Sequence, residues 1–552
     1  MSEPKHQSFI KKWLPLFIMG LAVIIIVLDT TLLNVSLGTI VRDLHTNIQS
    51  LQWVISAYAL TLAALTITGG RFGDLFGRKR MFMVGAFVFA LGSFLASISH
   101  NVSMLIVGES IIEGIGAALM MPATASLLVS TYRGRDRALA LGVWGGMAAA
   151  GLAIGPVVGG YLTSHYSWRW GFRINIFVAA LLLIGSVIIK ETRDKEEAPT
   201  IDWLGVLLTA TGLTSIVFGV IESATYGWWK ARAVFSIASH PINIANLSVV
   251  PLSLALGTAI LIAFYTWEQS MVRRGKTPLV SMKLFANRQF TAGAVLSAVM
   301  SIGQVGLIFG LPIFLQGVRG LDALHTGYAL LPMSLGLFIM APLGGYFAKH
   351  FKPKHIVQTG LTINVLTLLL LRHVLNISAG PVNFILPLFL YGAGVGLAFS
   401  QLTNITLSAV SVNESGEASG VNSTLRQVGS SFGTAIIGTI IISAVVSGLG
   451  KGIQTSTVIT PERRVIVTSL AKAQSSDIEF GIPVQGQRLT PTESHELKQI
   501  SDRSTVKANK EALLMTAIFT ALAFLVASQL PNVELHDLEK NQSLAAKPAP
   551  AH

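Results

Sequence analysis

Three acidic side chains stand where the sequence is otherwise apolar: Asp29, at the end of the run Val23-Ile-Ile-Ile-Val-Leu28, and Glu109 and Glu113, within Ile106-Val-Gly-Glu-Ser-Ile-Ile-Glu113. A carboxylate in hydrocarbon costs roughly 3 kcal/mol or more, so each of these is either paired or kept for a task. The task such a group can perform is proton exchange, taking up a proton at ordinary pH and releasing it when a cation arrives. Glu109 and Glu113 are four apart, fall on one helical face and titrate as a coupled unit. Counted at 1.5 Å per residue from the segment ends near Val41 and Asn101, Asp29 and Glu113 both lie roughly 16–18 Å deep, a level at which they can share a cavity. The expectation is that Asp29 and Glu113 carry protons and bind a cationic substrate, with Glu109 as an outer relay. The alternative is that the glutamates pair with Arg173 or with polar helix neighbours.

Two glycine patterns flank this chemistry. In Gly70-x3-Asp74-x2-Gly77-Arg78-Lys79-Arg80 the glycines permit a tight turn, and Asp74 can accept from Arg78 or from the basic end of a neighbouring helix, latching one conformer. In Gly151-x3-Gly155-Pro156-x2-Gly159-Gly160 small residues four apart allow close helix contact, and Pro156 removes one backbone bond and bends the helix. A packing role alone is the plainer reading of that second pattern. Asn34, Trp53, Tyr58, Ser110, Asn422 and Arg426 are candidate cavity residues, the aromatic ones because they suit lipophilic ligands. Near Arg426 the acids are Glu414 and Glu417, close to the helix start, where they can pair with it; no acid stands mid-helix, which confines acid-based cation recognition to the first half of the chain. Cysteine is absent and the twelve histidines are scattered, so no catalytic group, metal or cofactor is expected.

The elements that must hold these residues follow from composition. With 51% hydrophobic and 12% charged residues, the chain carries about half the charge of a soluble protein, and its net charge of +13 belongs at the ends of membrane helices and not on nucleic acid. Apolar stretches near 14–40, 51–69, 81–99, 103–130, 138–162, 171–189, 203–222, 247–267, 290–314, 325–347, 355–375, 383–409, 428–449 and 511–530 read as fourteen transmembrane helices, numbered 1 to 14, since a lone span must satisfy its own backbone hydrogen bonds. Basic clusters such as Arg78-Lys79-Arg80, Arg133 to Arg137, Arg273 to Lys276 and Lys349 to Lys354 share one side of the membrane, which places both termini in the cytoplasm. Segment 450–510 should lie outside as a solvated loop or short hairpin ending in an amphipathic stretch near Glu493 to Lys507, and the tail from Pro531 has the composition of a disordered segment.

An internal repeat organises the spans. Gly69-Gly70 to Arg80 after helix 2 corresponds to Gly344-Gly345 to His355 after helix 10, and Gly151, Gly155 and Gly160 of helix 5 correspond to Gly429, Gly433 and Gly438 of helix 13. Two registers that nearly agree argue for duplication. Helices 1–6 then match helices 9–14, with helices 7 and 8 inserted between. The expected organisation is a cytoplasmic start over 1–13, a six-helix bundle over 14–190, a linker with the inserted pair over 191–289, a second bundle over 290–530 and a cytoplasmic tail over 531–552. Halves of this kind hold a substrate site between them and rock about it.

The signature loop at 70–80, the Gly/Pro pattern of helix 5 and Leu28-Asp29-Thr30-Thr31-x2-Asn34 in helix 1 together make the chain resemble the fourteen-span drug:proton antiporter branch of the major facilitator superfamily. Weaker likenesses are Trp168-Arg169-Trp170-x2-Arg173-Ile174-Asn175 entering helix 6 and Leu284-Phe285-x2-Arg288 entering helix 9. The resemblance implies an all-α integral membrane protein, not an enzyme, that exports lipophilic, cationic small molecules in exchange for protons as a monomer in a bacterial inner membrane. It also marks departures. Ser110 stands where that branch carries an arginine in helix 4, and Lys349 stands where the first loop has Asp74. Alternatives are export of a lipid or a dedicated metabolite by the same carrier, or a non-transporting membrane sensor.

Overall fold

The computed structural model describes residues 9–530 apart from 133, 193–201, 232, 234, 238–239, 243–246, 277, 349, 411–414 and 474–488. The proposed start and tail therefore lie largely outside the described residues, as does the Asp74 side chain. Among the described residues fourteen helices are long and apolar enough to cross a membrane, beginning with Lys12–Asp43 and ending with Pro491–Ala527. With fourteen candidate spans, the start of the first and the end of the last share one face, called here the terminal face; the opposite one is the far face.

The two repeats build alike, and glycines set the closest contacts. In helix 5, Gly151 and Gly155 admit Ile24 and Thr31 of helix 1, and Gly160 admits Ala323 and Leu324 of helix 10. In helix 13, Gly429 and Gly433 admit Ala298 and Ile302 of helix 9, and Gly438 admits Gln52 of helix 2. Helix 9 is the repeat of helix 1 and helix 10 the repeat of helix 2, so the same three positions make the same two kinds of contact in each half. A side chain at most of these positions would fall within 3.2 Å of a neighbouring atom, which close-packed helices cannot absorb without moving apart.

Between the halves, hydrogen bonds tie the far-face ends together. Gln316 of helix 9 donates to Val35 O (2.6 Å) and accepts from Gly38 N (3.1 Å) in helix 1. Gln52 of helix 2 donates to Thr434 O and Ala435 O of helix 13 at 2.9 and 2.8 Å. Ser164 Oγ accepts from Leu324 N at 3.1 Å. The inserted pair, Trp203–Tyr226 and Val249–Arg273, lies along the helix 2–helix 13 seam, where Leu213, Val217 and Ile221 pack with Leu60, Ala63 and Ala435.

Two features depart from the sequence expectation. Segment 450–510 is not a simple loop: helix 13 runs on to Thr455, Pro461–Ala473 forms a helix, and the last helix begins at Pro491 behind a Thr490/Glu493 capping box. The reason is its own apolar periodicity, since Ile453, Ile459, Val467, Leu497 and Ile500 join the core that holds Leu37, Leu51 and Val54. The connection between helices 7 and 8 also holds a short antiparallel hairpin, Phe235–Ile237 with His240–Ile242, so the chain is all-α only within its spans.

Candidate functional site: a sealed acid cluster and a cavity on either side of helix 1

Helix 1 brings Asp29 to the interior of the first bundle, helix 4 brings Glu109 and Glu113, and all three are essentially without solvent contact. Asp29 and Glu113 do not touch directly; they share Asn175 of helix 6, whose Nδ2 donates to Asp29 Oδ1 and to Glu113 Oε1, 2.9 Å each. An amide nitrogen carries two protons, so one side chain serves both acids. Asp29 Oδ2, Glu113 Oε2, Asn175 Oδ1 and Tyr58 Oη are buried with no hydrogen-bond partner. Buried polar atoms are rarely left so, and a carboxyl proton on either acid would add a donor to this set.

Glu109 is held separately. Ser110 Oγ lies 2.7 Å from Glu109 Oε2 and 2.8 Å from Val54 O. A hydroxyl has one proton and a carbonyl can only accept, so both contacts are satisfied together when Glu109 is in its acid form. The stretch Ile106–Glu113 is π-helical, a wider turn than the regular helix assumed from the sequence and one often found at functional sites. Of the alternative partners for the glutamates, polar helix neighbours are the ones met, Asn175 for Glu113 and Ser110 for Glu109; Arg173 lies over the Trp170 ring, 5.1 Å from its centroid, and the ion pairs among the described residues involve none of the three acids.

On the other face of helix 1 lies a narrow cavity of about 20 Å³. Thr31, Asn34 and Val35 of helix 1 and Leu152 and Pro156 of helix 5 form its wall in the first half; Gln304, Met333 and Tyr391 are among those lining it in the second. Apart from a few hydroxyls and amides its wall is apolar, and no acid lines it. The geometry thus separates what the sequence reading had joined. At 100° per residue, Thr31, Asn34 and Val35 point away from Asp29, so the acids and the cavity share helix 1 but not one pocket.

The other candidates distribute unevenly. Asn34 and Pro156 line the cavity, whereas Trp53 donates to Glu222 Oε1 of helix 7 (3.0 Å) and so fastens the inserted pair. Tyr58 lies beside Gly114, next to Glu113, and Ser110 holds Glu109. Asn422 is buried and Arg426 half-buried on helix 13, away from this cavity. In the signature loop Gly77 has φ +104, a left-handed region that favours glycine, and the Glu191 carboxylate accepts from Lys79 N and Arg80 N at 3.0 and 3.2 Å, capping the start of helix 3. Arg78 N bonds to Thr192 O at 3.1 Å, and Arg71 donates to Pro278 O and Leu279 O of the linker. Glu191, Arg71 and above all Asn175 were missed as site residues. The signal for Asn175 was present, as an amide inside the apolar helix 6 of the Trp-Arg-Trp likeness.

Two duplicated helical bundles with an apolar cavity between them are the architecture of a membrane carrier. The chain belongs to the Major Facilitator Superfamily, whose family profile matches residues 19–434. It is 28% identical to the tetracenomycin C resistance and export protein of Streptomyces glaucescens, over 79% of this chain and 77% of that one. It is 26% identical to the multidrug resistance protein Stp of Mycobacterium tuberculosis, over 93% and 90%. In fold it resembles a bacterial homolog of the human lysosomal transporter Spinster in an inward-facing, occupied conformation, with a TM-score of 0.60, 14% identity and coverage of 99% and 100%.

Proposed function

We propose that this multi-pass membrane transporter exports lipophilic small molecules in exchange for protons, by alternating access. The observation that carries the reading is Asn175, which links two buried acids on one face of helix 1 while the apolar cavity occupies the other face. Protons entering from the far face neutralise the cluster and remove the cost of burying charge. Their loss to the opposite side restores that cost, and helix 1, seated in the glycine seam of helix 5, transmits the difference to the cavity wall. The moving bodies are the bundles at 14–190 and 290–530, rocking about the site. The working unit is one chain in a bacterial inner membrane, with both termini cytoplasmic.

The cationic cargo expected from the sequence has no acid to meet in the cavity, so lipophilicity supports recognition better than positive charge does. Export of a dedicated metabolite is a second reading, favoured by the likeness to the tetracenomycin C resistance and export protein. The test is purified protein in liposomes with an imposed pH gradient, assayed against a panel of dyes, quaternary amines and aromatic metabolites. Gradient-driven accumulation of at least one compound is expected; accumulation unchanged when the gradient is collapsed removes the proton from the mechanism.

A further inference from the structure

Arg426 is a charged, half-buried side chain at the edge of the apolar span 428–449 of helix 13, and the described residues supply no acid for it. Helix 13 begins at Ser415, so Arg426, eleven residues on, sits about 16 Å along its axis. No hydrogen bond or ion pair of its side chain occurs among the described residues. Glu417 and Glu414, the acids nearest in sequence, have side chains outside the described residues. They precede Arg426 by nine and twelve residues in the sequence.

The other faces of helix 13 at this level are occupied. Gly429 and Gly433 hold helix 9; Ser431 Oγ donates to Ser56 O of helix 2 at 3.2 Å; Val428 and Phe432 pack against helix 7. The remaining arc carries Ser423, Arg426, Gln427 and Ser430, all half-buried, and turns toward the space between helices 2 and 9, which separates the two halves. Asn422, one turn before Arg426, is buried with Oδ1 unpartnered. A guanidinium held in low dielectric demands a counter-anion, and its planar fork suits a carboxylate.

Building on the export reading above, we propose that Arg426, with Asn422 and Gln427, binds an anionic group of the cargo, a carboxylate or an acidic phenol. The transported class is then lipophilic acids, carried with the apolar body toward the interdomain cavity and the anion on helix 13. Acids in the first half manage protons, and the arginine in the second half manages cargo charge.

The probe pair is anthracene-9-carboxylate and its methyl ester, bound to the full chain in phosphatidylcholine nanodiscs and followed by fluorescence. Arg426→Gln is expected to weaken the carboxylate by roughly tenfold or more while leaving the ester unchanged, and Arg426→Lys to recover much of the loss. Asn422→Ala, which keeps the charge, should weaken the carboxylate by roughly threefold and serves as the readout if Arg426→Gln does not fold. Equal loss of both probes, or loss of neither, overturns the site. Abolition of carboxylate binding when phosphatidylglycerol is added to the nanodiscs assigns Arg426 to a lipid headgroup and overturns the cargo assignment. Carboxylate preference without gradient-driven export would sink the export reading and leave the site standing; the converse would do the reverse.

Discussion

The first and second halves of this transporter share a skeleton and differ in chemistry. Gly151, Gly155 and Gly160 do in the first half what Gly429, Gly433 and Gly438 do in the second, each trio seating one helix of its own bundle and one of the other. The buried acids Asp29, Glu109 and Glu113 have no counterpart in the second half, which holds a half-buried arginine at Arg426. Duplication therefore preserved the contacts that fix helix spacing, where any added atom collides, and released the residues that face the interior, where charge can be exchanged for a different use.

The sharpest way to break this comparison is Glu113→Gln. It removes one of the proposed proton sites from the first half, and proton-driven efflux is expected to fall roughly a hundredfold or more with membrane insertion intact; unchanged efflux in inverted vesicles would refute the assignment. Asp74→Asn and Lys349→Ala probe the two signature loops. The first should slow transport by roughly tenfold, the scale of one charge-assisted hydrogen bond, and the second hardly at all. Equal effects would mean that both loops latch alike.

The glycine seam offers a finer comparison, read as thermal unfolding in detergent. A methyl at Gly433 would sit 2.6 Å from the Ile302 backbone oxygen, whereas one at Gly155 meets first the Thr31 side chain. Overpacking costs about 1–3 kcal/mol, and Gly433→Ala should fall at the upper end because backbone cannot rotate away. The smallest effect is expected from Arg71→Gln, which loses the contact to Pro278 and Leu279. A stability loss of about 1 kcal/mol with export retained would mark this tether as structural, and a change in transport without a change in stability would mark it as part of the gate.

Much of the scaffold was legible in advance because it is written in local rules. Stretches of about 20 apolar residues must be helices in lipid, and the two glycine registers gave the repeat, so the fourteen spans and their pairing into halves needed no coordinates. Polar segment 450–510 misled because its buried apolar residues, such as Ile453, Ile459, Val467, Leu497 and Ile500, are spread through charged sequence, and their burial depends on what the neighbouring helix ends present. Among site residues, the acids announced themselves by standing in apolar runs. Their relation to each other did not.

Sequence by itself determined the class of molecule, the placing of Asp29 and Glu113 within apolar helices and the positions where helices meet most closely, because hydropathy and small-residue spacing act along one helix at a time. Tertiary structure decided that Asn175 joins the two acids, that helix 1 separates them from the cavity, and that Trp53 turns to Glu222 and away from any ligand. These depend on the rotation of each helix about its own axis. Packing against several partners sets that rotation, and no single helix encodes it.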